Sequence, residues 1–529
     1  MSILDLDSIR DTAKSNNEPK VCKLGGFTNI TSVGERPAPE ILLLELFRSV
    51  FFEPPARNAK NRPLTPYQVD DKDKEIYSPN EQAVISALSG REKTKGLNNK
   101  QPYYAPAYPS LAQHAWLRPQ AERLVPKLLF GEAFAQHLWS SSPTGLADTN
   151  QRDSVEEMLS AFIGTTRNRD GGQPQIDILA ATLDNREDPV NLNSARDTLL
   201  GLTNNNEKVL EDITDTLAGR IFHDFMSICG LEKQVPRLLW LRLTMTFLRF
   251  SLPMWYLAQM RLTNLVHEWI IDAIDRGVCL PQDSILAKIG HKHQNLLRPT
   301  ITPTNSIDDQ IVEYAKRRVE LRILLHCLCQ INPSIFQGKV LSLTKVGADL
   351  ITLSTLLLKA RDEAPTLRAQ EEYDAAPSVR VFLARRAEEY DLYRSPLTEG
   401  QGKNTREFLR VLQKGNSGDA TGGHLLVQQG KPRQLAYRVF PGQLLLQLIA
   451  FLAASAKHAQ TAAGGGKLVL RDIEDHFKEY GVDFSISADA RPLLIEQLQI
   501  LGLLSGSPDA GSSVAVTCPF PLPKRDIPS

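Results

Sequence analysis

The hydrophobic pattern between Gln434 and Pro519 alone reads as one complete module. Leu444, Leu445, Leu446, Leu448, Ile449, Phe451 and Leu452 form an apolar run that predicts a buried helix. The three glycines of the 461–466 stretch break it, and Leu468-Val469-Leu470 suffices for a very short strand. From Arg471 to Tyr480, Ile473, Phe477 and Tyr480 fall on one helical face, with Gly481 as the stop. Ser487 or Asp489 can cap a third helix with Pro492 in its first turn, and Leu494, Leu498 and Leu501 mark its inner face up to Gly502. Leu503-Leu504-Ser505, a turn containing Gly506, Pro508, Asp509 and Gly511, and alternating Val514, Val516 and Cys518 predict a hairpin.

The rest of the chain is read by the same periods. Residues 1–115 are punctuated by prolines and expected to be loop-rich, apart from an apolar helix within Pro39 to Phe52 and a shorter one at Glu81 to Leu88. Residues 116–300 form a helical domain. It has candidate helices from Pro126 to Trp139, after an Asn150 cap, and from Glu207 to Met226. Leu238 to Met260 is strongly apolar. Leu241, Leu243, Met245 and Phe247 alternate there as a strand would, but length and surroundings favour a helix with Pro253 as a kink or break, continued by Leu262 to Ile274. His291 to Ser306 reads as a linker. A second helical domain, 307–394, contains helices at Ile307 to Gln330, Val340 to Ala360 and Ser378 to Tyr393. Residues 395–433 read as a basic linker before the 434–529 module, and no internal repeat is found.

Helix, short strand, helix, helix and hairpin is the order of a winged helix-turn-helix, and "LRDIEDHFKEYG" followed by "LIEQLQILGLLSGS" resembles that family. The fold class is therefore mainly α: a multi-domain helical protein with a C-terminal winged-helix (α+β) domain. The resemblance implies that the third helix could enter a DNA major groove. Its outward face, however, carries Asp489, Pro492, Glu496 and Gln499, two acids and no base, which suits phosphate poorly.

Composition adds little direction. The 529 residues carry 61 Lys+Arg against 61 Asp+Glu, so no global field draws the chain to nucleic acid or an anionic membrane. Within 395–433 the balance shifts to a net charge of +3. Lys403, Arg406, Arg410, Lys414, Lys431 and Arg433 make this the best candidate nucleic-acid-binding patch. Arg406, Arg410 and Lys414 share a face if Thr405 to Lys414 is helical. Six scattered cysteines fit a reducing compartment, and no apolar stretch is both long and uncharged enough to span a bilayer. The acidic start, Met-Ser-Ile-Leu-Asp-Leu-Asp, lacks a signal peptide's features, so the expected location is cytoplasmic.

No catalytic constellation stands out. His223-Asp224 is similar to the pair of HD-type phosphohydrolases, for which His137 and Asp272 or Asp275 could be nominated as further ligands, but the spacing identifies neither and an ordinary helix-surface pair is the preferred reading. His267-Glu268 begins a zinc-protease pattern that fails at Ile271, and His326, Cys327 and Cys329 lack ligand spacing and read as core. Gly464-Gly465-Gly466-Lys467 is no phosphate loop, since neither the leading strand nor a following Ser or Thr is present.

The expectation is thus a non-enzymatic subunit or adaptor of a cytoplasmic multiprotein assembly acting on DNA. It has other protein subunits and DNA as partners, no membrane contact, no cofactor, no metal site and no catalytic residue. The combination resembles accessory subunits of prokaryotic DNA-transaction and anti-phage defence systems. A metal-dependent phosphohydrolase and a stand-alone DNA-binding transcription regulator are the alternatives.

Overall fold

A computed structural model describes residues 39–51, 147–163, 194–199, 216–276, 287–289, 291, 293–297, 302–332, 346–347, 349–356, 405, 408–414, 422–429, 436–460, 467–505, 511 and 513–522. Among them helix dominates, and the strands form two small antiparallel sheets. No helix among the described residues is long and apolar enough to cross a membrane.

The spine is one helix, Arg237–Arg276, labelled α4 after α1 (Pro39–Phe51), α2 (Ala147–Ile163) and α3 (Thr216–Leu231). Its 40 residues extend about 60 Å at 1.5 Å per residue. Every residue from Leu243 to Met260 is buried, between exposed Arg242 and Arg261. A helix buried all round has no polar stripe, which is why its sequence also fits a strand's alternation. The polar residues that suggest alternation are internal as well. The Thr244 hydroxyl donates to the Trp240 carbonyl at 3.0 Å, and Arg249 is spent on backbone carbonyls of the 411–413 segment. Pro253 removes one helical hydrogen bond, yet the helix runs through it, because burial on every side outweighs one missing bond.

Other helices gather around α4. Helix α1 lies against it, and the rings of Phe47 and Phe51 meet Phe162 of α2 edge-on. Arg237 donates to the Ala161 and Phe162 carbonyls, both at 2.6 Å, satisfying the last turn of α2. Helix α3 packs between α2 and α4, and the Trp240 indole donates to the Ile228 carbonyl at 2.9 Å. Along the second half of α4 runs α5 (Thr304–Ile331), preceded by the two-residue strand β1 (Thr302–Pro303). The Ser354 hydroxyl, from helical residues 349–356, donates to the Ile274 carbonyl near the end of α4.

The C-terminal part opens with β2 (Leu426–Gln429) and β3 (Ala436–Val439), antiparallel with Leu426 opposite Val439. Strand β1 pairs with β3, Thr302 opposite Tyr437, so the sheet order is β1-β3-β2. Next is α6 (Gln443–Gln460), whose first N–H groups, at Leu444 and Leu445, donate to the Gly422 carbonyl. Helix α6 packs on both α3 and α4. The expected short strand near Leu468 exists as an extended edge: the Leu470 N–H donates to Val514 and the Val516 N–H to Leu468. Helix α7 (Leu470–Glu479) buries Ile473 and Phe477, with Tyr480 as its buried C-cap on the same face and Gly481 next, at φ of +88°. Helix α8 (Ala490–Ile500) and the hairpin β4 (Leu504–Ser505) and β5 (Ala515–Val516) complete the order. One continuous cluster of buried side chains runs from Leu42 through Phe247 and Phe451 to Val516.

Several expectations change. Asn150 lies inside α2, which starts at Ala147, so it is no cap. Asp489 has helical backbone angles and makes no cap bond; the Ser487 hydroxyl instead accepts the Ala490 N–H at 3.3 Å. The stretch from His291 to Ser306 holds β1 and the start of α5, and the 395–433 stretch holds a 3-10 turn (Arg410–Leu412) and β2. The candidate helices at Glu81 to Leu88, Pro126 to Trp139 and Ser378 to Tyr393, and residues 207–215, lie outside the described residues.

Candidate functional site

Of the six basic candidates, Lys403, Arg406, Lys431 and Arg433 lie outside the described residues. Arg410 opens the 3-10 turn and is half-buried; Lys414 is exposed two residues past its end. The expected helix over Thr405 to Lys414 stops short: Thr405, Phe408 and Leu409 are helical, Arg410–Leu412 tightens to the 3-10 turn, and the helix ends before Gln413. Gln413 is extended, and the Lys414 N–H donates to the Leu426 carbonyl at 2.8 Å, so Arg410 and Lys414 do not share a helical face. The physical reason is Arg249. Buried in α4, it donates to the Val411 carbonyl at 2.6 Å and to the Gln413 carbonyl at 2.5 Å, fixing the chain where the helix would have continued. Tyr256 adds a hydrogen bond to Thr405 (3.0 Å) and a ring contact with Phe408.

On α8 the inner face is set by buried Leu494 and Leu498, while Asp489, Pro492, Glu496 and Gln499 are all exposed, as the periodicity requires. Ile486 and Ile500 are also exposed. The outward row is acidic and partly apolar.

The principal polar arrangement is one that periodicity hid. Arg220 and Asp224 stand one turn apart on α3, and His476 of α7 lies one turn before Tyr480 at its C-cap, so that the four meet where the helices pack. The Tyr480 hydroxyl donates to Asp224 Oδ2 at 2.8 Å, and His476 Nε2 lies 2.9 Å from the same oxygen. Arg220 Nε lies 3.2 Å from Asp224 Oδ1 and 3.0 Å from Glu479 Oε2, and Arg220 Nη2 lies 2.6 Å from His476 Nδ1. Burial alone would push the Asp224 carboxyl up. His476, Arg220 and His223 outweigh it and hold the carboxyl well below the usual carboxylate range. Burial and the neighbouring Asp224 charge push the Tyr480 phenol far up, so it remains a donor. The Phe250 ring of α4 closes the cluster against Tyr480, centroids 4.8 Å apart.

His223-Asp224 is therefore not a surface pair: Asp224 is 0% exposed while His223 is partly open. The clue was available. Asp224 falls among Leu217, Ile221, Phe225 and Ile228 on the apolar side of α3, with an arginine one turn before it. Asp224 Oδ2 accepts from Tyr480, while Oδ1 faces the Arg220 guanidinium as an ion pair. Among the described residues no group of three or more His, Cys, Asp and Glu is placed to hold a metal ion.

The other singled-out residues serve packing. His267 Nε2 is buried 2.6 Å from Glu320 Oε2, and Glu268 accepts from Arg317 at 2.6 Å, so both join α4 to α5. Cys327 is buried on α5, and His326 and Cys329 are half-buried beside it. The glycines Gly464, Gly465 and Gly466 lie outside the described residues. No family model, curated protein or solved structure matches the chain.

Proposed function

We propose that the chain is a non-enzymatic subunit or adaptor of a multiprotein assembly acting on DNA, with residues 434–529 as a winged-helix module built into its helical body. The observation that supports this reading is the element order from α6 to β5: helix, extended edge, helix, helix and hairpin, with the outer row of α8 exposed. Two acids on that row disfavour phosphate, so α8 is the protein-contacting side of the module. DNA is assigned to the basic segment that precedes it, Lys403, Arg406, Arg410, Lys414, Lys431 and Arg433.

The experiment is binding of the full chain to duplex and single-stranded DNA across a salt series, beside a variant with Lys403, Arg406, Arg410 and Lys414 changed to Ala. Each phosphate contact contributes about −0.9 to the slope of log affinity against log salt, so the variant should bind more weakly with a slope shallower by roughly 3 to 4. No binding to either form at low salt sinks the DNA assignment. Equal slopes for the two proteins remove it from this segment.

A further inference from the structure

We infer that the outward row of α8 seats a basic amphipathic helix of another protein, an inference that rests on α8 being the protein-contacting side of the module. Asp489, Leu493, Glu496 and Ile500 recur at steps of four, three and four residues. That is the spacing by which one helix presents a continuous seam to another. Asp489 stands just before Ala490 but already has helical backbone angles, so the stripe starts with it. Leu493 is half-buried and the other three are exposed. The result is a row alternating acid and apolar for about 16 Å.

Two separate observations set this row apart from ordinary surface. The first is charge. Elsewhere between Lys467 and Ser505 every acid is neutralised: Asp472, Glu474, Asp475, Glu479 and Asp483 each meet a Lys or Arg within 3.5 Å. Asp489 and Glu496 meet none among the described residues, and the Asp489 side chain caps no N–H either. The second is exposure. Four large hydrophobic side chains are exposed among the described residues, and two of them belong here. Ile500, at 69%, is the most exposed of the four; Ile486, at 54%, closes the 3-10 turn (Phe484–Ile486) ahead of α8. A lone exposed isoleucine is ordinary, but two beside the same uncompensated acids mark a contact face.

The occupant follows from complementarity. Leu493 and Ile500 call for apolar anchors, and two carboxylates seven residues apart call for Lys or Arg at the same interval. A helix with both at alternating steps of four and three supplies them along one side. Apolar contact holds it, while charges at the rim fix its register. A second copy of this chain does not fit. The row carries no base, so any two-fold pairing sets Asp489 and Glu496 against each other or against Leu493 and Ile500. Arg491, the one base of α8, is already held by Glu474 at 2.6 Å. Phosphate is repelled by the same two acids.

The probe is a labelled, side-chain-stapled helical peptide of about two heptads carrying Leu and Lys at those steps. It is titrated with the full chain by fluorescence anisotropy, beside versions with Glu or Ser in place of Lys. The Lys peptide is expected to bind, more weakly as salt rises, and the Glu peptide not to bind. Ile500→Ser, and Asp489→Asn with Glu496→Gln, should each weaken the Lys peptide roughly fivefold or more, the second also flattening the salt dependence. Leu238→Ser, at the exposed leucine near the start of α4, should leave binding unchanged. All these side chains are exposed, so circular dichroism of the variants should match the wild type. A Glu or Ser peptide that binds as well as the Lys peptide, and is lost in Ile500→Ser, overturns the proposal but keeps α8 as a protein contact. No binding by any of the three overturns both. Binding that Ile500→Ser leaves intact, or a dimer of the chain that Ile500→Ser dissolves, overturns the proposal as well.

Discussion

Asp224 is a carboxylate with no exposed surface, and its partners all come from one turn of its own helix or from a helix 250 residues further along the chain. Removing one partner of such a group leaves the other charge stranded, so Asp224→Ala should cost roughly 3–5 kcal/mol in denaturant unfolding. Tyr480→Phe removes one hydrogen bond to a charged acceptor and should cost about 1.5–3 kcal/mol. The pH dependence has a definite sign. A carboxyl held low in the folded state stabilises above the unfolded value of about 3.9 and loses that contribution as pH falls through the lower folded value. Asp224→Asn should therefore be weaker than the wild type at neutral pH, with the gap narrowing below about pH 4. Backbone constraint acts at the same scale. A Cβ on Gly481 would stand 2.3 Å from the His293 carbonyl oxygen at a positive φ, where the Leu297 N–H also docks on the Gly481 carbonyl. Gly481→Ala combines strain and overlap and should cost roughly 1–3 kcal/mol or more, read as a lowered midpoint of thermal unfolding.

At the scale of elements, helices were legible wherever one face is apolar, and α1, α5 and α7 follow that pattern. So was the exposure of Asp489, Pro492, Glu496 and Gln499, since Leu494 and Leu498 fix the opposite side of α8. What the pattern could not show is pairing across the chain. Strand β3 takes Thr302 and Gln428 as neighbours of one residue, Tyr437, and nothing local marks that meeting. Arg249 reads as an interruption of an apolar run, yet its guanidinium ends the helix-like segment before Gln413 from 162 residues away in sequence. Asp224 was hidden in the same way, because its partners stand on α7. An Arg249→Met substitution keeps the stem and removes the donors. The Val411 and Gln413 carbonyls lose their partner, and the 405–414 segment should become the first site of limited proteolysis, while helical circular dichroism is largely retained. Unchanged cleavage would mean that Tyr256 and Phe408 alone hold the segment.

At the scale of the molecule, the C-terminal part is not a bead on a tether. Helix α6 is buried at Leu445, Leu446, Leu448, Ile449, Ala450 and Phe451 because α3 and α4 cover it, and Phe250 of α4 touches both Phe477 and Tyr480. Ser455 donates to Ser227 at 3.0 Å across the same contact. Cutting the chain before residue 434 would uncover Phe250 and the inner side of α3, and would leave Asp224 with only Arg220 and His223 of its present partners. The piece lacking 434–529 should consequently lose cooperative thermal unfolding or associate through the exposed apolar surface, as seen by calorimetry and sedimentation. The complementary piece keeps its own hairpin and α7–α8 contacts but loses the side of the α6 core that α3 and α4 cover. Two fragments that each melt in a sharp transition as monomers would contradict a shared core. They would also make the α3–α7 junction an ordinary interface between independent domains.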